Sequence, residues 1–220
     1  MQYLSNKRHF GIVSLALAVT FSLTAAGSMA EPTADVAAVR DQWEQVNFVA
    51  PAPEREQQFA ALIDTCNSLL ATQSEDAEAL TWCGIVESSY AGVAGGLGAL
   101  KHAKAARKHF ERAIDIDRNT VNGAALTSLG TLYAKVPGWP LGFGDNKKAA
   151  RYLEDGLEVN PHGMDSNFFM AEFLADQGET EAAKQHLERA LQATPRPGRA
   201  ISDEARRAEI NALLGHLGHL

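Results

Sequence analysis

The sequence predicts an all-α fold, a solenoid of antiparallel helix pairs with a C-terminal capping helix. Three observations predict it. Apolar residues recur at three- and four-residue spacing through most of the chain after residue 33. Residues 122–161 read as helix, interruption, helix, and the segments on either side repeat that layout. Hydrophobic residues make up 45% of the 220-residue chain, enough for a buried core and too many for a disordered one. A repeated pattern at this length favours one continuous stack over separate domains.

Residues 1–30 stand apart from the fold. Lys7, Arg8 and His9 form a basic start, Gly11 to Ala26 is mostly apolar, and Ser28-Met29-Ala30 places small residues at −3 and −1 before Glu31. This is the layout of a secretory signal peptide, with residues 31–220 as the mature domain. The apolar run falls short of the ~20 residues that a membrane span needs. No cysteine follows the expected cleavage point to accept a lipid, and no later stretch is long enough to cross a bilayer. The expected location is the periplasm, or the medium where there is no outer membrane, with no membrane embedding after cleavage. Two of the 20 Lys and Arg and none of the 27 Asp and Glu lie in the leader, so cleavage makes the net charge more negative than −7. That sign argues against nucleic acid as a partner.

In chain order, residues 33–48 are predicted as a first helix, capped by Thr33 and striped with Val36, Val39, Trp43 and Val46. After a Pro-containing turn, helices are expected over about 54–72 and 76–90, the first carrying Phe59, Leu62, Ile63, Cys66, Leu69 and Leu70 on one side. Cys66 and Cys83 lie at similar distances on either side of the turn at 73–76, at matching height in an antiparallel hairpin. In an oxidising compartment they are expected to form a disulfide; the alternative is a pair of buried thiols packed as small hydrophobes.

The next stretch, AGVAGGLGAL (91–100), weakens helix, since each glycine costs ~1 kcal/mol against alanine. Helix resumes near 97–101 and runs to about 117. A fifth helix is expected over about 120–135 and a sixth over 145–159, with Asp145 as its cap and Asn160-Pro161 as its stop. The seventh (165–177) ends at Gly178 and the eighth (179–194) at Pro195. A ninth, 202–217, carries Ile210, Leu213, Leu214 and Leu217 on one face and is expected to cap the stack.

Superposed, the segments resemble the tetratricopeptide repeat, a helix-turn-helix unit of ~34 residues. The copies are roughly 33–74, 76–119, 120–161 and 164–197, the first degenerate. The last supplies Ala171, Gly178, Ala183, Leu187, Ala190 and Pro195; the third supplies Leu129, Gly130, Tyr133, Ala149, Leu153, Gly156 and Pro161; the second supplies Gly84, Ala106, Phe110 and Ala113. The motif specifies a fold rather than a chemistry. The third copy carries roughly seven extra residues between its helices and the second about ten, so AGVAGGLGAL and VPGWPLGFGD are expected to neighbour each other on one edge. With these insertions the chain also resembles exported bacterial repeat proteins grouped with the T component of TRAP-type transporters. That resemblance implies association with a solute-binding protein and a ligand-sized cleft, although the lipid-acceptor cysteine of such lipoproteins is missing here.

The expected binding residues are Tyr133, Trp139 and Phe143, around the second insertion, and Lys101 and Lys104, part of a Lys101-Lys104-Lys108-Arg112 face beside the first. Aromatics on a Pro/Gly-constrained loop suit ligand stacking or partner anchoring, or they pin the loop to the stack. The basic face suits an anion, or is a solvated surface paired with Glu111 and Asp115. GGLG and GFGD lack a phosphate-binding fingerprint. His102, His109, His162, His186, His216 and His219 form no metal-binding motif, and no serine sits in a nucleophile elbow. No catalytic residue, cofactor or metal is expected. The functional expectation is an exported non-catalytic scaffold that binds another protein or peptide. The alternative is an accessory subunit of a TRAP-type solute transporter holding a small ligand in its cleft, and an enzyme comes third.

Overall fold

The structure is a computed structural model that describes residues 36–218. The expected signal peptide, Thr33 and His219 lie outside the described residues. The elements run α1 (Val36–Glu44), a π-helical turn (Gln45–Val49), α2 (Ala52–Thr72), α3 (Ala77–Ala94), α4 (Gly96–Asp117), a 3-10 turn (Thr120–Gly123), α5 (Ala124–Lys135), α6 (Asn146–Val159), α7 (Met164–Asp176), α8 (Thr180–Leu191) and α9 (Ala200–Leu217). The described residues are therefore all-α. Their one β-type contact is an isolated bridge between Gly138 and Gly144.

Helices pair in succession: α3 with α4, α5 with α6, and α7 with α8, with α2 packed on α3 and α9 on α7 and α8. Small residues make the pairing close. A Cβ on Gly84 would lie 2.5 Å from the Phe110 ring, and one on Gly130 would lie 2.8 Å from Leu153 Cγ. Large residues fill the remaining grooves, so that Phe59, Phe110, Leu129, Leu153 and Leu187 are fully buried. The core runs along the stack in three linked clusters. Leu70 and Ile85 join the first to the second, and Phe169 and Leu174 join the second to the third. Each pair thus buries the apolar face that its neighbour exposes.

Helix starts follow local chemistry. Asp76 accepts from Glu78 N and Ala79 N at 2.8 and 3.0 Å, and Asp145 accepts from Lys147 N and Lys148 N at 2.9 and 3.1 Å.

The structure departs from the sequence reading at three elements. The first helix does not stay α-helical to 48. The wider i to i+5 winding after Glu44 brings Phe48 edge-on to Trp43, with ring centroids 5.4 Å apart. The glycine-rich stretch 91–100 is not a loop. α3 continues through Gly92 to Ala94, and α4 begins at Gly96 after a turn in which Gly95 and Gly96 both have positive φ. The two glycines permit this tight reversal, so the extra residues lengthen both helices instead of projecting between them. The fifth helix begins at Ala124 rather than 120, because Val121, Asn122 and Gly123 are all left-handed, with φ of 48°, 54° and 74°.

Candidate functional site

The helix pairs share a groove of about 790 Å³. Its walls come from the first helix of each main pair: Ile85, Ser88 and Ser89 on α3; Thr127, Ser128 and Thr131 on α5; and Asp165, Ser166 and Phe169 on α7. Every third or fourth residue of a helix faces the same way, which explains the spacing within each set. Trp43 and Trp82 form an aromatic end, tilted against each other with centroids 5.8 Å apart, and Trp43 Nε1 donates to Ser89 Oγ at 2.8 Å.

The remaining wall is cationic. Arg189, Arg196, Arg199 and Arg206 all line the groove. Three are fixed by carboxylates. Arg196 Nε donates to Asp203 at 2.6 Å, and Arg196 and Arg206 converge on the two oxygens of Asp165. Burial alone would raise the Asp165 carboxyl, but the two guanidinium groups outweigh it and hold the group at about 2. Asp165 is therefore a committed carboxylate with little capacity as a proton acceptor. Arg199 ion-pairs with Glu44 of α1 and donates to Ser202 of α9 at 3.0 Å, while Ser202 Oγ donates to Glu44 at 2.6 Å. The Arg199 guanidinium also lies over Trp82, 4.9 Å from the ring centroid. These contacts tie the first described helix to the last beside the groove. Arg189 is exposed on α8 and makes no ion pair among the described residues, and exposed His162 lies on the same lining.

The residues predicted from sequence lie elsewhere. Tyr133 is buried between α5 and α6, stacked on Tyr152 at 5.8 Å and edge-on to Phe143 at 5.6 Å. Burial pushes its hydroxyl up, with neighbouring Glu111 adding to the effect. Phe143 packs on the same cluster under the Arg107 guanidinium, 4.5 Å away, so α4 does meet the second insertion there. Trp139 is 89% exposed and points away from this packing. Lys101 and Lys104 are exposed on α4. Arg112 pairs with Glu75, and Glu111 pairs with Arg107. None of these residues lines the groove. The sequence reading missed the groove arginines; four arginines between 196 and 207, in an otherwise acidic chain, were the available signal.

Cys66 and Cys83 are buried neighbours on α2 and α3, both as free thiols. The Cys66 hydrogen bond, then burial, pushes the Cys83 thiol up. Among the described residues no group of His, Cys, Asp and Glu is arranged to hold a metal ion, and no helix is long and apolar enough to cross a membrane.

No curated protein sequence matches the chain. Among solved structures it is similar to the crystal structure of MamA. The two are 15% identical, the alignment covers 79% of this chain and 89% of that one, and the TM-score is 0.43. Residues 141–215, which run from the second half of the second insertion through helices α6 to most of α9, match the family model described as tetratricopeptide repeat.

Proposed function

We propose that the chain is a non-catalytic scaffold, exported to the periplasm by its N-terminal leader, that takes a segment of another protein into the groove. The observation that carries this reading is the groove itself, whose walls come from successive helix pairs and whose lining residue Arg199 is fixed by Glu44. Its lining suits an extended peptide. Ser88, Ser128, Thr131 and Gln192 offer donors and acceptors to a backbone, and Ile85, Val121 and Phe169 offer apolar contact. Arg189 supplies a charge for an acidic side chain.

A second reading is favoured by one measurement. A volume of about 790 Å³ also falls within the range of roughly 300–1,000 Å³ typical of small-molecule sites. An accessory subunit of a solute transporter, holding a partly apolar anion against Trp82 and the arginines, fits that size.

A photo-crosslinking residue at Ser128, inside the groove, distinguishes the two, with Glu154 on the exposed side of α6 as the control. Polypeptide adducts at 128 and not at 154 are the expected result. If native mass spectrometry finds only a small solute, and the crosslinks carry its mass, the scaffold reading gives way to the solute-binding one.

A further inference from the structure

The loop joining α5 to α6 presents a rigid apolar tip that the groove does not use. Its base is closed by Gly144 N donating to Pro137 O and Asp145 N donating to Tyr133 O, both at 3.0 Å, and by Phe143 packed on Tyr133. The close fit of Gly144 fixes it further, since a Cβ there would lie 1.8 Å from Val136 O. Beyond this base, Pro137 to Leu141 are all exposed, with Trp139 at 89% and Leu141 at 74%. Two large apolar side chains are thus left in water next to each other on one loop. No charged residue occurs from Val136 to Gly144.

The charges around the base have a consistent arrangement. Lys147 and Lys148 follow at once, exposed and without an ion pair among the described residues. Lys148 Nζ sits 5.2 Å from the centroid of the Tyr133 ring at the foot of the loop. Arg151, one turn further on, is likewise exposed and lies over Tyr152 at 4.7 Å. Several of the nearby acids are already engaged, while Glu154, three residues beyond Arg151 on α6, is exposed and makes no ion pair among the described residues. Asp145 caps α6, Glu111 pairs with Arg107, and Glu172 and Asp176 pair with Lys135. The result is an uncharged tip of Trp, Pro and Leu, with three exposed cations behind it that make no ion pair among the described residues.

We infer that this loop is a docking tip for an anionic bilayer surface, with Trp139 and Leu141 entering the headgroup boundary while Lys147, Lys148 and Arg151 face the lipid charges. The tip's side chains carry one hydrogen-bonding group, the Trp139 indole N–H, so it has little with which to read a particular protein surface. An amphipathic ring with one donor suits the membrane interface. Apolar insertion and attraction to anionic lipids are the two terms with which binding at a membrane interface grows.

The test uses the chain as isolated from cells and vesicles of phosphatidylcholine with or without phosphatidylglycerol. Trp43 and Trp82 are buried, so Trp139 dominates the solvent-exposed part of the emission, and it reports the tip independently of residues 1–30. The expected result is a blue shift and loss of acrylamide quenching with anionic vesicles only. W139A/L141A should bind at least tenfold more weakly with unchanged helical circular dichroism, and K147A/K148A should lose roughly fivefold per lysine. A Trp139 emission unmoved at millimolar lipid would overturn the inference, as would vesicle binding undiminished in W139A/L141A. Concentration-dependent self-association that W139A abolishes, without any vesicle effect, would also overturn it and assign the tip to contact between protein copies.

Discussion

Arg199, in the connector before α9, forms an ion pair with Glu44 of α1, 155 positions earlier in the chain. The pair is nearly out of water, with side-chain exposures of 12% and 5%. Breaking it leaves a buried charge alone, at a cost of about 3 kcal/mol. We predict that R199A and E44A each lower the urea midpoint by a comparable amount, and that the double mutant loses clearly less than the two losses combined. Additive losses would show that the two ends are held by something else.

Asp165 ties α7 to the connector and to α9 through Arg196 and Arg206. Its folded-state pKa is depressed, to about 2. Its contribution to stability is therefore complete above the ordinary carboxylate range near pH 4 and disappears as pH falls through about 2. Between pH 5 and 2, wild type should lose stability faster than D165N, which is weaker at pH 5 and has no titrating group there. Parallel curves in urea unfolding would contradict the assignment.

Gly130 is set by packing rather than by a turn. It lies within α5, where alanine would ordinarily favour helix by about 1 kcal/mol. A Cβ there would meet Leu153 Cγ at 2.8 Å, Leu153 N at 2.9 Å and Ala149 O at 3.1 Å, and two of those atoms are backbone. G130A is expected to be destabilising by roughly 1–3 kcal/mol in spite of the propensity gain. Thermal unfolding of the variant reads the sign directly.

Cys66 and Cys83 are adjacent and buried, at 2% and 0% exposure. We propose that export oxidises them to a disulfide joining α2 and α3. Unfolded, unreduced protein should then resist alkylation at both positions and weigh two hydrogens less than the reduced chain. Reduction should lower stability by about 3 kcal/mol. Labelling of both thiols without reductant would leave them as packing residues.

The legible part of this fold is the part governed by periodicity. Ala171, Ala183, Leu187 and Ala190, read as the close-packing positions of the last repeat, are all fully buried. Asp145, read as a cap, makes both capping bonds. Positions three and four residues apart share a helix face whatever else the chain does, so apolar spacing alone fixes them. The closure between α1 and α9 has no such signature. A charged pair 155 residues apart resembles any two surface charges until the fold brings them together. Arg189 and Arg206 likewise share a wall only once α8 and α9 are packed together. Gly92 misled in the other direction: α3 stays helical through a residue whose local preference is to end it.

The closure also bears on how many repeats the array can hold. An open stack of helix pairs tolerates gain or loss of a unit, because each unit answers only to its neighbours. Here Glu44 and Arg199 must meet across the helix pairs that lie between them in the chain. Duplicating or deleting one pair would carry them apart by the rise and rotation of a whole unit. The latch therefore sets a cost on gaining or losing a helix pair between residues 44 and 199.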